Sequence, residues 1–590
     1  GSHAYQLLME FLMRKNVLSM SIAAMIGGLG LVGSANAVVF NAGSLADTFQ
    51  QPNTGVGNVL IVPYFSTQSG NSTLLNIVNT DTSRGKAVKI RFRGASNSDD
   101  IFDFQLYMSP ADVWTANISQ GADGRSVLTT SDKTCTLPAT VGTSATGNAF
   151  DVSRLPASFS DADKAAETRE GYVEIFVMAD IPKALQAGQF ATNIVTTNNY
   201  LYDAIKHVGG VAPCTAGTMA ALANEPTLLT SASPAGTSAP AAEAPANGQG
   251  GAASTMGLTQ PTGTLFANYT IINVPKTLSF AGEATALLAS NSLAVTTNPL
   301  QKPATANLVF YPQTSTAARA AATTAATAET SDPLLLNVGA VGGAVLTGAS
   351  VTANAAGGSV VTARQYDFPD LSTPVVGAGF AIAQAETLSN ALTAVTVSNE
   401  QLGNSSIAAG TDWTFSMPTR RYHVAMNYNW SLAGNAAFSA ALDGRVYTVR
   451  TAAANTLFDS TNTSVNSATG KTHQICTAAD AIQSWDREEV TSTGGFVISP
   501  GTTTTVRFCG EASVLSFNAG GATQPSVLSS TLARQDVTTA FVDGWTAVGV
   551  SGLGAAGAKR GLPVVGRSYI KAQNGTVFFG IGANHHYVRP

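Results

Sequence analysis

The chain has 590 residues, only 11% of them charged, and a formal net charge of −5. That length suggests about three to four domains of ordinary size. Charge well below the roughly 25% of a typical soluble domain argues against a cytosolic enzyme, and a mildly acidic surface lacks the basic footprint of a nucleic-acid binder.

Residues 1–12 precede a plausible start at Met13 and read as tag or misplaced-start sequence. Residues 13–37 have the form of a signal peptide. Met13-Arg14-Lys15 is a positive head, Val17 to Val32 an apolar run, and Ala35-Asn36-Ala37 a small-x-small cleavage site. The run is short and interrupted by Gly27, Gly28, Gly30 and Gly33, which argues against a membrane anchor, so the expectation is an exported chain with no transmembrane helix after cleavage. Four cysteines follow, Cys135, Cys214, Cys476 and Cys509, none in a CxxC pair. An oxidising compartment favours disulfides, and of three possible pairings sequence neighbourhood favours Cys135–Cys214 and Cys476–Cys509.

The expected N-terminal β-sandwich covers residues 38–213. Val38 to Gly55 is a polar lead segment that could donate a strand to a neighbouring copy. Gly57 to Asn117 reads as four strands separated by Gly/Ser/Asn/Asp turns. In KAVKIRFR, Val88, Ile90 and Phe92 alternate with Lys89, Arg91 and Arg93, which predicts an apolar face and a solvated basic face. Phe102, Phe104, Leu106 and Met108 repeat the pattern. Ser119 to Ala162 is a long excursion, and Gly171–Ile181 returns as a strand pairing with the first sheet.

Residues 214–260 collapse into Ala, Pro, Gly, Ser and Thr and read as a flexible linker. A middle β-rich region, 261–420, is expected to hold a strand at Gly263–Asn273 and short helices at Ala281–Ala289 and within Gly377–Asn399. In the latter, Ala385, Leu388, Leu392 and Val395 share one side as core packing. Two runs, Ala317–Thr330 and Val338–Gly358, are Ala/Thr- and Gly/Ala-rich insertions. Residues 421–590 revert to short strands bounded by Gly, Pro, Asn or Ser, a C-terminal sandwich. The fold class is all-β, with Ig-like or jelly-roll sandwiches, long insertions and a few short helices.

The chemistry-bearing motifs weaken on inspection. Gly28–Gly33 lies in the signal peptide, Gly552–Gly557 is followed by Gly561 and Pro563 where a helix must start, and Gly470-Lys471-Thr472 lacks the upstream glycine of a phosphate loop. No GxSxG or HExxH occurs. His585 and His586 are adjacent, so a strand turns them to opposite faces, and both read as part of a solvated C-terminal strand. Asp99, Asp100 and Asp103 lack calcium-loop spacing, and the carboxylates Asp367 and Asp370 read as turn residues. A glycan-handling groove would need Trp413 or Trp485 beside Asp486 and Glu488. No catalytic residue, cofactor or metal ligand is assigned; Trp485, Asp486, Glu488 and the strip Lys89, Arg91 and Arg93 remain possible contact surfaces.

Several strings run in order along the chain: VGNVLIVPYF, NTDTSRGKAVKIRFR, DIFDFQLYMSPADVWTANI, EGYVEIFVMADI, YDFPDLSTP (Tyr366–Pro374), GTDWTFSMPTRRYHV, WDREE, GLPVVGRSYI and the closing HHYVRP. In these the chain resembles a group of exported proteobacterial proteins described only as cell surface proteins. The resemblance implies surface association in a Gram-negative bacterium, and one module with long insertions rather than beads on a string. It carries over no functional residue. The expected role is structural or adhesive: a coat, sheath or filament subunit, or an attachment factor, contacting copies of itself or surface glycan. The alternatives are a secreted polysaccharide-binding protein or hydrolase, and an outer-membrane barrel, against which stand irregular strand spacing and the lack of aromatic girdles.

Overall fold

The period-two stretches become strands of four principal sheets. The computed structural model describes residues 48–152, 155–156, 158–184, 198–224, 257–259, 261–290, 350–353, 359–362, 381–426, 438–439, 446–448, 457–480, 482–488, 497–498, 502–503, 506–519, 524–553 and 560–590. The expected signal segment, the lead segment up to residue 47, most of the 214–260 linker, the run 317–330, most of 338–358, Tyr366–Pro374 and Glu489 lie outside them.

Sheet A has seven strands in the order Thr48–Gln50, Thr285–Ser290, Val59–Ser66, Glu170–Pro182, Arg84–Gly94, Asp100–Met108 and Cys135–Leu137. Sheet B has six, in the order Leu278–Glu283, Leu265–Asn273, Asn71–Asn79, Val113–Gln120, Ser126–Thr129 and Asn148–Ala149. Leu60, Val62, Ile90, Phe92 and Phe104 of sheet A meet Leu75, Ile77, Trp114, Ile118 and Tyr269 of sheet B, the interior of a sandwich.

The helix expected over Ala281–Ala289 is instead two strands, Leu278–Glu283 and Thr285–Ser290. Leu278, Phe280 and Gly282 are buried while Ala281 and Glu283 are exposed, so the period is two, and edge pairing outweighs the helix preference of alanine. Residues 265–290 thus belong to sheets A and B, so the boundary drawn at 261 does not separate one set of sheets from another.

Sheet C has five strands, Arg534–Thr539, Ala512–Ala519, Gly410–Ser416, Val565–Asn574 and Val577–Asn584. Sheet D has four, Ile482–Trp485, Asp543–Gly549, Thr396–Leu402 and His586–Val588. Trp413, Phe415, Leu515, Phe517 and Val537 of sheet C pack on Val397, Ile482 and Val548 of sheet D. The opposite side of sheet C, Ala512, Val514 and Tyr569, enters the core of the first sandwich. Gly410–Ser416 is accordingly buried at every position.

The helix foreseen near residue 390 is present as Ala381–Leu392. Leu388 and Leu392 pack on Val59, Ile61, Phe176 and Leu287. Val395 lies beyond its end, where the β-branched cluster of Thr393, Val395, Thr396 and Val397 passes the chain to strands. Both expected disulfides are formed; Cys476 and Cys509 face each other across antiparallel strands, with Cα atoms 3.9 Å apart, and Cys135 joins Cys214 at 5.4 Å. Among the described residues no helix is long and apolar enough to cross a membrane.

Candidate functional site

The expected solvated basic strip is buried: Lys89 is 2%, Arg91 3% and Arg93 0% exposed. The neighbouring strands explain why that is tolerated. In register with Arg91 stand Asp103 on one side and Glu174 on the other, and Arg93 is opposite Asp100 and Tyr172. Lys89 Nζ pairs with the Asp103 carboxylate, and Arg93 Nε donates to Glu174 Oε2 at 3.0 Å. Burial pulls the Lys89 ammonium below its ordinary pKa, against the opposing field of Asp103.

The same face of sheet A is capped from elsewhere in the chain. Phe176 lies under the helix Ala381–Leu392, and the Ser98 carbonyl accepts from Arg421 Nη1 at 3.0 Å and Arg93 Nη1 at 3.4 Å. Arg420 Nε donates to Glu511 Oε1 at 3.1 Å, and burial raises the Glu511 pKa against the lowering influence of Arg420 and Arg421. Buried pairs of this kind add little net stability over an apolar replacement, but losing one partner is costly. The strip fastens layers together rather than offering a contact surface.

A Ser–His–Glu grouping among the described residues is also buried. Ser96 Oγ lies 3.3 Å from His473 Nε2, and Glu167 Oε1 lies 2.8 Å from the same nitrogen. A Ser–His–acid relay needs the hydroxyl and the carboxylate on opposite ring nitrogens. Ser109 and Asp112 repeat the fault at His207 Nδ1, at 3.1 and 3.7 Å. Among the described residues no group of three or more His, Cys, Asp or Glu side chains is placed to hold a metal ion.

The sketched groove of Trp413, Trp485, Asp486 and Glu488 does not form. Trp413 is fully buried, in contact with Phe517 and His585, and its indole N–H donates to the Glu400 carbonyl at 3.2 Å. It faces the interior because Thr411, Trp413 and Phe415 share the side of sheet C that meets sheet D. Asp486 and Glu488 sit in the turn after Trp485, where the Asp486 carboxylate accepts from Glu488 N at 3.0 Å. His585 departs from its solvated expectation as well. It is buried against Phe415, while His586 is exposed.

Trp485 does stand at the surface, with a partner that sequence reading missed. It is directly opposite Trp545, ring centroids 3.9 Å apart and planes 8° from parallel. Val397, Val548 and Ile482 take the buried parity of sheet D, so Trp485, Trp545 and Glu400 form one outward row. Gln483, Ala547, Ser398 and His586 form the next. Trp545 is 43% exposed, and Glu400, Gln483 and His586 are exposed. A Cβ on Gly544 would lie 1.8 Å from the Trp485 carbonyl oxygen, so only glycine lets these strands approach closely enough to stack the indoles.

A second exposed feature lies on sheet C. Val577, Phe579 and Ile581, 54%, 54% and 58% exposed, line one side of Val577–Asn584. This strand pairs with Val565–Asn574 alone among the described strands, and its sequence VFFGIGAN has neither charge nor proline. Gly580 and Gly582 lie against the backbone of Ser279 and Ala281, leaving the apolar row outward.

No protein-family model matches the chain, and comparison with curated proteins and with solved structures finds no match either.

Proposed function

We propose that the chain is an exported structural or adhesive protein of a Gram-negative cell surface, acting without catalysis, whose copies associate along Val577–Asn584. The observation that carries this reading is the apolar edge strand. Proteins that remain apart blunt such edges with charge, proline or cover, because unpaired backbone groups beside an apolar row recruit another strand. An antiparallel pair of identical strands is self-complementary about a two-fold axis, so one edge serves both copies. Two disulfides fit an oxidising exterior, and the resemblance to exported surface proteins points the same way.

Fractionation of producing cells with electron microscopy of the exterior tests location and assembly together, and light scattering on purified protein tests the edge. Assembled wild-type protein and monomeric Phe579→Lys and Ile581→Lys variants of unchanged circular dichroism are expected. Wild-type protein that stays monomeric at high concentration, or variants that assemble equally well, would sink the edge-pairing reading. Recovery of the protein from the cytosol would sink the surface role.

A further inference from the structure

We propose that the outward face of sheet D is a binding site for a neutral polysaccharide. This does not rest on assembly through sheet C, since the two faces lie on different sheets. The stacked indole pair is rigid, because each ring holds the other and the close approach at Gly544 holds the strands, and Trp545, 43% exposed, keeps the ring face turned away from Trp485, on the Glu400 side, for a sugar ring. The weakly positive C–H face of a pyranose ring complements the negative face of an indole, as in other contacts governed by the aromatic quadrupole.

The rest of the face supplies what sugar hydroxyls require. Glu400 accepts hydrogen bonds, Gln483 and Ser398 both donate and accept, and His586 offers ring nitrogens. These columns are set one strand spacing apart, about 4.8 Å, on elements rather than loops.

Charge decides which glycan. In the two rows the one charged side chain is Glu400, and the adjoining turn adds Asp486, Arg487 and Glu488. The local balance is negative, which repels uronates, sulfated chains and nucleic acid and leaves a neutral polymer favoured. A protein partner fits less well, because the aromatic surface occupies one corner and the residues beside it are mostly polar, with Ala547 and the outlying Val588 the apolar exceptions, unlike the apolar centre of an interface.

Affinity electrophoresis through gels containing dextran, mannan, xylan or mixed-linkage β-glucan, with alginate as the anionic comparison, tests the assignment. Wild-type protein should be retarded by at least one neutral polymer. Trp545→Ala, at a 43% exposed position and with circular dichroism expected to match wild type, should weaken that retardation by about tenfold or more, and Trp485→Ala likewise. Phe579→Lys protein should be retarded as wild type. No retardation by any of the four neutral polymers, equal retardation of Trp545→Ala, or retardation by alginate alone would each overturn the proposal. Loss of binding only in Phe579→Lys would trace the retardation to assembly and overturn it equally.

Discussion

His585 should make the protein acid-sensitive through one side chain. Its ring stacks on Phe415 at 5.0 Å and lies edge-on to Trp413 at 5.1 Å. Nε2 donates to the Thr414 carbonyl at 3.2 Å and Nδ1 accepts from Asn399 Nδ2 at 3.0 Å, an arrangement that uses both nitrogens of the neutral imidazole. Burial pulls its pKa from the ordinary 6.5 to about 3. The unfolded chain therefore takes up a proton below pH 6.5 that the folded chain refuses until about pH 3, so this stabilisation is whole above 6.5 and is lost as pH falls between the two values. At about 1.4 kcal/mol per pH unit, lowering the pH to 4.5 removes about 2.7 kcal/mol through this group alone. Urea denaturation of wild type and His585→Gln at pH 7 and pH 4.5, at equal ionic strength, isolates the effect, since other acid-labile groups are common to both. The variant is the less stable at pH 7, and the gap should narrow by about 2–3 kcal/mol at pH 4.5. A gap that stays constant to within about 0.5 kcal/mol would refute the reasoning.

Three further outcomes are expected. Reduction should destabilise the protein by about 4 kcal/mol per bridge on the loop-entropy model, given separations of 79 and 33 residues, measured as a shift in urea midpoint with and without dithiothreitol. Glu170→Gln should cost about 2–4 kcal/mol, because the carboxylate accepts from Thr531 N at 2.7 Å, Ser530 Oγ at 2.9 Å and Ala533 N at 3.0 Å and an amide can satisfy only part of that set; limited proteolysis should then cut within residues 524–533. Arg93→Met should cost about 3–5 kcal/mol by leaving Glu174 buried without its partner, and adding Glu174→Leu should restore most of the loss in a double-mutant cycle read by thermal unfolding.

Much of the architecture was legible. Strict alternation at Val88–Phe92 and Phe102–Met108 marked strands, helical spacing at Leu388 and Leu392 marked a core-facing helix, and chain proximity paired the cysteines. The misjudged burial of Lys89, Arg91, Arg93, Trp413 and His585 has one physical cause. A period of two reports which residues share a face, not what lies over that face. Lys89, Arg91 and Arg93 look the same in sequence whether water or Asp103, Glu174 and the Arg421 segment covers them. The acids needed to compensate them were visible, Asp103 between Phe102 and Phe104 and Glu174 between Val173 and Ile175, but the register joining them to the bases was not. Trp545 was recoverable: Val548 and Val550 take the buried parity of their segment, which leaves Trp545 on the outside.

Sheet C, shared between two cores, dictates an order of events as the chain is made. Tyr269 closes on Tyr569 through a 2.5 Å hydroxyl contact spanning 300 residues, Asn71 holds the Leu528 carbonyl across 457, and Gln68 reaches Thr531 across 463. The first sandwich therefore cannot bury its outer layer until nearly the whole polypeptide has emerged. Sheets A and B are made of residues 48–290 and can pair first, but the face that Ala512, Val514 and Tyr569 cover stays exposed until those residues arrive, and contacts so distant close slowly. On the export proposed above, the late strands are the lock that is turned last, closing that face once the chain has crossed the membrane.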